Sequence, residues 1–372
     1  MSTFDPVWRS LESTVASGWA PGIVAGARYG DETEVFATGV GAFGSHDPVS
    51  RGTSFRIASL SKPVGGALAA TMIADGLFGV DDEVAPWLPE LADPRVLTRP
   101  DALLDETVEA NRPVTVRHLL TATLGLGVSF TPTPHSEVLK SFGWGPNPPD
   151  MSPDEYMARI GALPLAFQPG ERWQYQTSAD ILSVFLGRVA GRPLHDLLAE
   201  RITGPLGMVS TGFTTGAAVA LPTQYRSTAE GLVEAVEYER AFVGLPAFES
   251  LGGGLISTVP DYLAFLSALA DGTLLPNAER DQLIADQLTP GQREGITEMV
   301  GADTSWGWQV SIQTGPGLPW TAPGRYGWTG GSGTSAYVDP ARDLIGVVFS
   351  QRFMAGPRED FAYFWEPLAA SV

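Results

Sequence analysis

The residues best placed to do chemistry are Ser59 and Lys62, at the start of the apolar segment ASLSKPVGGALAATMIADG. Positions i and i+3 share one helix face, so a helix here holds an amine beside a hydroxyl. A serine hydroxyl is a weak nucleophile until a neighbouring base takes its proton. Burial lowers a lysine from its usual pKa of about 10.4, because a low dielectric disfavours the ammonium, and the helix N-terminus favours developing negative charge. The chemistry implied is acyl transfer through a serine ester, with Ser59 as nucleophile and Lys62 as base. The competing reading is a helix-capping serine followed by a surface lysine. Only two lysines occur, Lys62 and Lys140, so chance supplies on the order of 0.14 Ser-x-x-Lys pairs. An idle lysine in an apolar stretch also costs stability.

Several elements must position this pair. Residues 6–17 read as an amphipathic helix, and 23–29 with 34–38 as two strands around a Gly30-Asp31 turn. Residues 58–76 are small and apolar on nearly every face, which predicts a buried helix with Pro63 in its tolerant first turn. Helical patterns follow at 116–123, 153–160, 179–190 and 259–269, broken by Pro and Gly clusters. Strand patterns return at 307–312, 335–338 and 344–350, and 360–370 closes as a helix. The expected architecture is α/β (α+β): a sheet with flanking helices made by residues 1–78 and 300–372, with a mainly helical insertion over 79–299.

With 372 residues, 44% of them hydrophobic, the chain can bury a large core. The absence of cysteine excludes disulfides, thiolate nucleophiles and cysteine metal sites, and four scattered histidines leave little for metals. A net charge of -19 disfavours nucleic acid and anionic lipid. The most apolar long segment, 63–74, is shorter than the roughly 20 residues that span a bilayer. The first twenty residues lack the basic start and apolar stretch of a signal peptide, so a cytoplasmic protein is expected. GVGAFG at 39–44 matches Gly-x-Gly-x-x-Gly, but Ser-His-Asp-Pro follows instead of a helix, and no acidic residue stands about 20 positions on; it reads as a hairpin turn. GGSGT at 330–334 is the nearest approach to an α/β-hydrolase elbow and fails at its last position.

The segment TSFRIASLSKPV (53–64) resembles the nucleophile motif of the serine β-lactamase and penicillin-binding-protein superfamily, in particular the class C β-lactamase-like branch that includes the family VIII carboxylesterases. The resemblance continues in family order through VTVRHLLTATLGL (114–126), PGERWQYQTSADIL (169–182), PLGMVSTGF (205–213), GGGLISTVPDYLAFL (252–266) and YGWTGGSGTSAYVDP (326–340). It implies a β-lactamase/DD-peptidase-like fold, an antiparallel sheet with an inserted helical domain. Tyr175 takes the place of the second-motif tyrosine that completes the proton relay, its phenol shifted by the charge on Lys62. Trp328-Thr329-Gly330 stands for the third motif, with Thr177 a further substrate contact. The N–H groups of Ser59 and Gly331 would form the oxyanion hole, where each such donor is worth about 3 to 4 kcal/mol.

Trp328 replaces the cationic or imidazole residue that holds a substrate carboxylate in lactam-cleaving relatives, and Gln176-Thr177 stands where Ser-Asn is frequent. The resemblance therefore implies a carboxylesterase acting on small or medium neutral esters, with no metal or organic cofactor. Acyltransferase, D-amino-acid peptidase and weak β-lactamase activities share the scaffold, and a silent binding or sensor domain is the non-enzymatic alternative. Arg325 and Arg352 remain as possible carboxylate partners. The aromatics Phe142, Trp144, Trp173, Trp306, Trp308, Trp320 and Trp328 suit either an apolar pocket or core packing; packing is expected for all but Trp328.

Overall fold

The computed structural model describes residues 2–128, 132–142, 149–216, 220–236 and 242–372. The chain opens with helix α1 (Asp5–Ala16), the hairpin β1 (Gly22–Tyr29) and β2 (Glu32–Gly39), and the short β3 (Phe55–Arg56). A 3-10 turn at Ala58–Leu60 then leads directly into α2 (Ser61–Ala74). The next stretch pairs β4 (Arg95–Leu97) with β5 (Thr107–Glu109) and continues through α3 (Val116–Leu120), α4 (Pro134–Lys140), α5 (Pro153–Gly161), α6 (Thr177–Ala190) and α7 (Leu194–Leu198). A hairpin of β6 (Tyr225–Thr228) and β7 (Gly231–Glu234) precedes β8 (Ile256–Ser257), α8 (Val259–Ala270), α9 (Asn277–Leu283) and α10 (Pro290–Val300). The last fifth holds β9 (Thr304–Trp306), β10 (Ser311–Gln313), β11 (Tyr326–Gly330), β12 (Thr334–Asp339), β13 (Leu344–Ser350) and α11 (Ala362–Ala370).

Seven strands form one antiparallel sheet in the order β2-β1-β13-β12-β11-β10-β9, so strands from both ends of the chain meet at β1 and β13. Side chains alternate across a strand, and here that alternation divides the core. Ile23, Ala25 and Ala27 of β1 join α1 and α11 on one face, while Val24 joins the larger core under α2, α6 and α8 on the other. Every residue of β13 is buried, as befits a strand covered on both faces.

One expectation changes. The strand expected at 307–312 coincides with β10 only at Ser311 and Ile312; its first residues are the turn between β9 and β10, where the Gly307 N–H donates to the Val310 carbonyl. Residues 79–299 hold most of the helices together with β4 to β8, and their last part packs against strands from the start of the chain. β8 pairs with β3, and α8 packs on β1 and β13, where Gly26 leaves room for Val259 and Leu263. Among the described residues no helix is long and apolar enough to cross a membrane.

Candidate active site

Ser59 sits in the 3-10 turn that starts the buried helix. The residue before it, Ala58, has φ +44°, a left-handed conformation that costs a non-glycine residue energy and here aims the turn. The N–H groups at the start of a helical turn have no partner within it, which leaves the Ser59 N–H free to serve a ligand. The β11–β12 turn is fastened to this segment. Thr334 Oγ1 donates to the Ile57 carbonyl at 3.1 Å, and Ser332 Oγ donates to the Arg56 carbonyl at 2.5 Å. Gly330 packs so closely that a Cβ there would lie 2.2 Å from the Ile57 oxygen, which holds the turn against the nucleophile segment. Gly331 lies just beyond β11, not within it, and the space in front of its α-carbon is open.

Lys62 is enclosed, its relative exposure 1%. Its Nζ donates to Ser59 Oγ at 3.2 Å, to Gln176 Oε1 at 2.8 Å and to the Gly252 carbonyl at 2.5 Å. Burial lowers its pKa to about 7, while the charge of Asp180 acts in the opposite sense. An amine with a pKa near 7 is half neutral at neutral pH and can accept the Ser59 proton.

The Tyr175 hydroxyl is close enough to the Ser59 side chain to feel it electrostatically, and it accepts the Trp328 indole N–H at 2.7 Å. The expectation that Lys62 would shift this phenol toward its ionised form is not met. Lys62 Nζ lies over the ring face, 4.4 Å from the centroid, and burial raises the Tyr175 pKa above its usual value. Tyr175 is therefore a neutral hydroxyl at neutral pH, suited to pass a proton between partners. Trp173, Trp306 and Trp328 surround its ring at centroid distances of 5.7, 6.3 and 5.7 Å. Of the other aromatics, Phe142 packs on Tyr156, Trp308 is core, Trp320 lines a separate cavity, and Trp144 lies outside the described residues.

The sequence reading missed how this lysine is held. Tyr175, Gln176 and Thr177 form a γ-turn, with the Thr177 N–H donating to the Tyr175 carbonyl at 3.2 Å and Gln176 at φ +80°, ψ −68°. This geometry is rare and strained. It turns the Gln176 amide inward, where Oε1 accepts from Lys62 and Nε2 donates to Asp180 Oδ2 at 3.0 Å. Asp180 in turn accepts from Ser250 Oγ at 2.6 Å, and the same Ser250 Oγ accepts the Gly252 N–H at 3.0 Å. A lone carboxylate in the otherwise apolar TSADILSVFL helix was the available signal. Thr177 sits at the N-terminus of α6, lining with Val128, Phe142 and Asp180 a cavity of about 30 Å³, which holds about one water.

Thr329 is half-buried beside Trp328 at the rim of a second, larger cavity that also contains Arg325; Arg352 lies elsewhere, its guanidinium 4.8 Å over Trp19. An esterase of Burkholderia gladioli, EstB, is 29% identical over 356 residues, covering 89% of this chain and 86% of its own. An uncharacterized protein of Mycobacterium tuberculosis is 34% identical over 316 residues, covering 80% of this chain and 77% of its own. The structure of EstCE1, described as a hydrolase with promiscuous acyltransferase activity, superposes with a TM-score of 0.83 at 22% identity, covering 100% of this chain and 98% of its own. The Beta-lactamase family model matches residues 9–369, nearly the whole chain, and the protein belongs to that family.

Proposed function

We propose that the protein is a carboxylesterase that works through an acyl-enzyme on Ser59. The observation that carries this reading is the buried Lys62 amine, brought to a pKa of about 7 and 3.2 Å from Ser59 Oγ. Ser59 Oγ attacks the ester carbonyl carbon while its proton passes to Lys62 Nζ. The N–H groups of Ser59 and Gly331 hold the resulting oxyanion. Collapse breaks the bond to the alcohol oxygen, which receives the proton from Lys62 through the Tyr175 hydroxyl. Water, deprotonated by the same relay, then attacks the acyl carbonyl and releases the acid and Ser59.

Trp328 supports an ester that is uncharged next to its reacting carbonyl. Its indole N–H is engaged by Tyr175, and the third motif offers no cation at that position. An alcohol that reaches the acyl-enzyme before water turns the same cycle into acyl transfer. The names of relatives favour keeping that outcome in view: besides EstB they include an acyltransferase of Penicillium decumbens and a lovastatin esterase of Penicillium rubens. The test is initial-rate hydrolysis of p-nitrophenyl acetate, butyrate and octanoate, with a chromogenic cephalosporin alongside and intact-protein mass spectrometry for an adduct on Ser59. Ester turnover that disappears in Ser59→Ala, with little cephalosporin cleavage, is the expected result. Activity surviving in Ser59→Ala overturns the assignment.

A further inference from the structure

Arg325, just before β11, is 7% exposed, and its guanidinium lies between two aromatic faces, 3.8 Å from the Tyr337 centroid and 4.2 Å from that of Trp365. Rings satisfy the faces of a guanidinium but not its N–H groups, which point outward in its plane. Among the described residues no carboxylate lies within ion-pair distance of it; Nη2 is enclosed without a hydrogen-bond partner, and Arg325 meets the adjoining cavity through its other atoms. The nearby carboxylate Asp339 is already held by Arg342 at 2.5 Å. A buried guanidinium with unmet donors is costly unless an acceptor completes it.

Arg325 lines a cavity of about 390 Å³ bounded by β10, β11, β12, α11 and the loops at 300–304 and 317–321. Leu318, Trp320 and Trp365 supply apolar wall, and Trp328 and Thr329 line its other side, so the cavity reaches the residue that donates to Tyr175. We infer that this cavity is a binding subsite for a monocarboxylate, and that Arg325 grips the remote carboxylate of an ester substrate whose reacting carbonyl lies at Ser59. The inference deepens the esterase reading and rests on it for the identity of the second end of the ligand. The four steps of extended chain from Arg325 to Thr329 span about 13 Å, which sets the length that an acyl chain must bridge between the two ends of the cavity. Asp303, Glu359 and Asp360 line the same cavity, as does Arg358, whose Nε and Nη2 already donate to the Met299 and Glu298 carbonyls. The three carboxylates disfavour a doubly charged phosphate and leave a single negative charge, met edge-on by the Arg325 guanidinium, as the better fit.

The experiment is calorimetric titration of wild type, Ser59→Ala, Arg325→Gln and Arg325→Lys with octanoate, octanamide and inorganic phosphate. Wild type and Ser59→Ala should bind octanoate about tenfold or more tighter than octanamide, the scale of a charge-assisted hydrogen bond, with phosphate weaker than octanoate. Arg325→Gln should lose the preference and Arg325→Lys keep part of it. Equal affinities in wild type, tighter binding of phosphate, or a preference that persists in Arg325→Gln overturns the inference. Turnover supplies a second measurement that needs no variant. The 4-nitrophenyl half-ester of sebacic acid should show a KM about tenfold below that of 4-nitrophenyl decanoate, with the advantage shrinking for the shorter adipate half-ester. If neither sebacate nor decanoate ester is hydrolysed while octanoate still binds selectively, the esterase reading fails and the carboxylate subsite stands.

Discussion

Lys62 and Arg325 are both buried cations, and the protein treats them in opposite ways. Every proton of the Lys62 ammonium finds an oxygen, from Ser59, Gln176 and Gly252, whereas Arg325 is stacked between rings with its Nη2 unmet. Burial lowers both pKa values, Lys62 to about 7 and Arg325 to about 10. The same physical cause therefore yields a base in one place and a fixed charge in the other. Lysine starts close enough to neutrality for desolvation to make its proton exchangeable; arginine does not, so its burial creates a standing demand for an anion.

That contrast can be broken most severely at Lys62. Lys62→Arg keeps the charge but supplies no base, and kcat/KM should fall at least about 10³-fold, as it should in Ser59→Ala; substantial activity in Lys62→Arg would show that proton removal happens elsewhere. Tyr175→Phe removes the relay while leaving the ring under Lys62, and the expected loss is about 10²- to 10⁴-fold in kcat, read from single-turnover acylation and deacylation rates.

The pH dependence sharpens the comparison further. Because neutral Lys62 is the working form, kcat/KM should drop as pH falls through about 7. Asp180→Asn removes a charge that favours the ammonium, so this acid limb should move to lower pH by about one unit; an unchanged limb would mean that another group sets it. The same shift affects stability. Between about pH 7 and 10.5 the unfolded lysine holds a proton that the folded one has released, so stability rises with pH across that window. Lys62→Met should flatten the rise in a denaturant titration series. The smallest effect is expected at Trp328→Phe, which removes one hydrogen bond to Tyr175 and should lower kcat about fivefold.

The nucleophile and its base were legible because both lie within four residues on one helix face, and because lysine is so scarce in this chain. The buried helix could be read from its composition, and the end-to-end sheet from strand patterns at 23–38 and 335–350. What holds Lys62 could not be read in this way. Its acceptors come from residues 176 and 252, one of them a backbone carbonyl, and the inward turn of Gln176 depends on a positive φ that no side-chain preference announces. Strand β9 was missed because apolar residues continue through the tight β9–β10 turn. The phenol of Tyr175 was misjudged because charge proximity was weighed without burial, and burial wins.

The pairing of β1 with β13 also sets an order of events during biosynthesis. Ile23 meets Ser350 across the sheet, and Gly331 comes 272 positions after Ser59. A ribosome has thus released the reactive serine long before it makes the strands and the turn that complete the oxyanion site. Contacts this distant along the chain form slowly, so the emerging polypeptide carries its nucleophile in an unassembled state until β11 to β13 have been made.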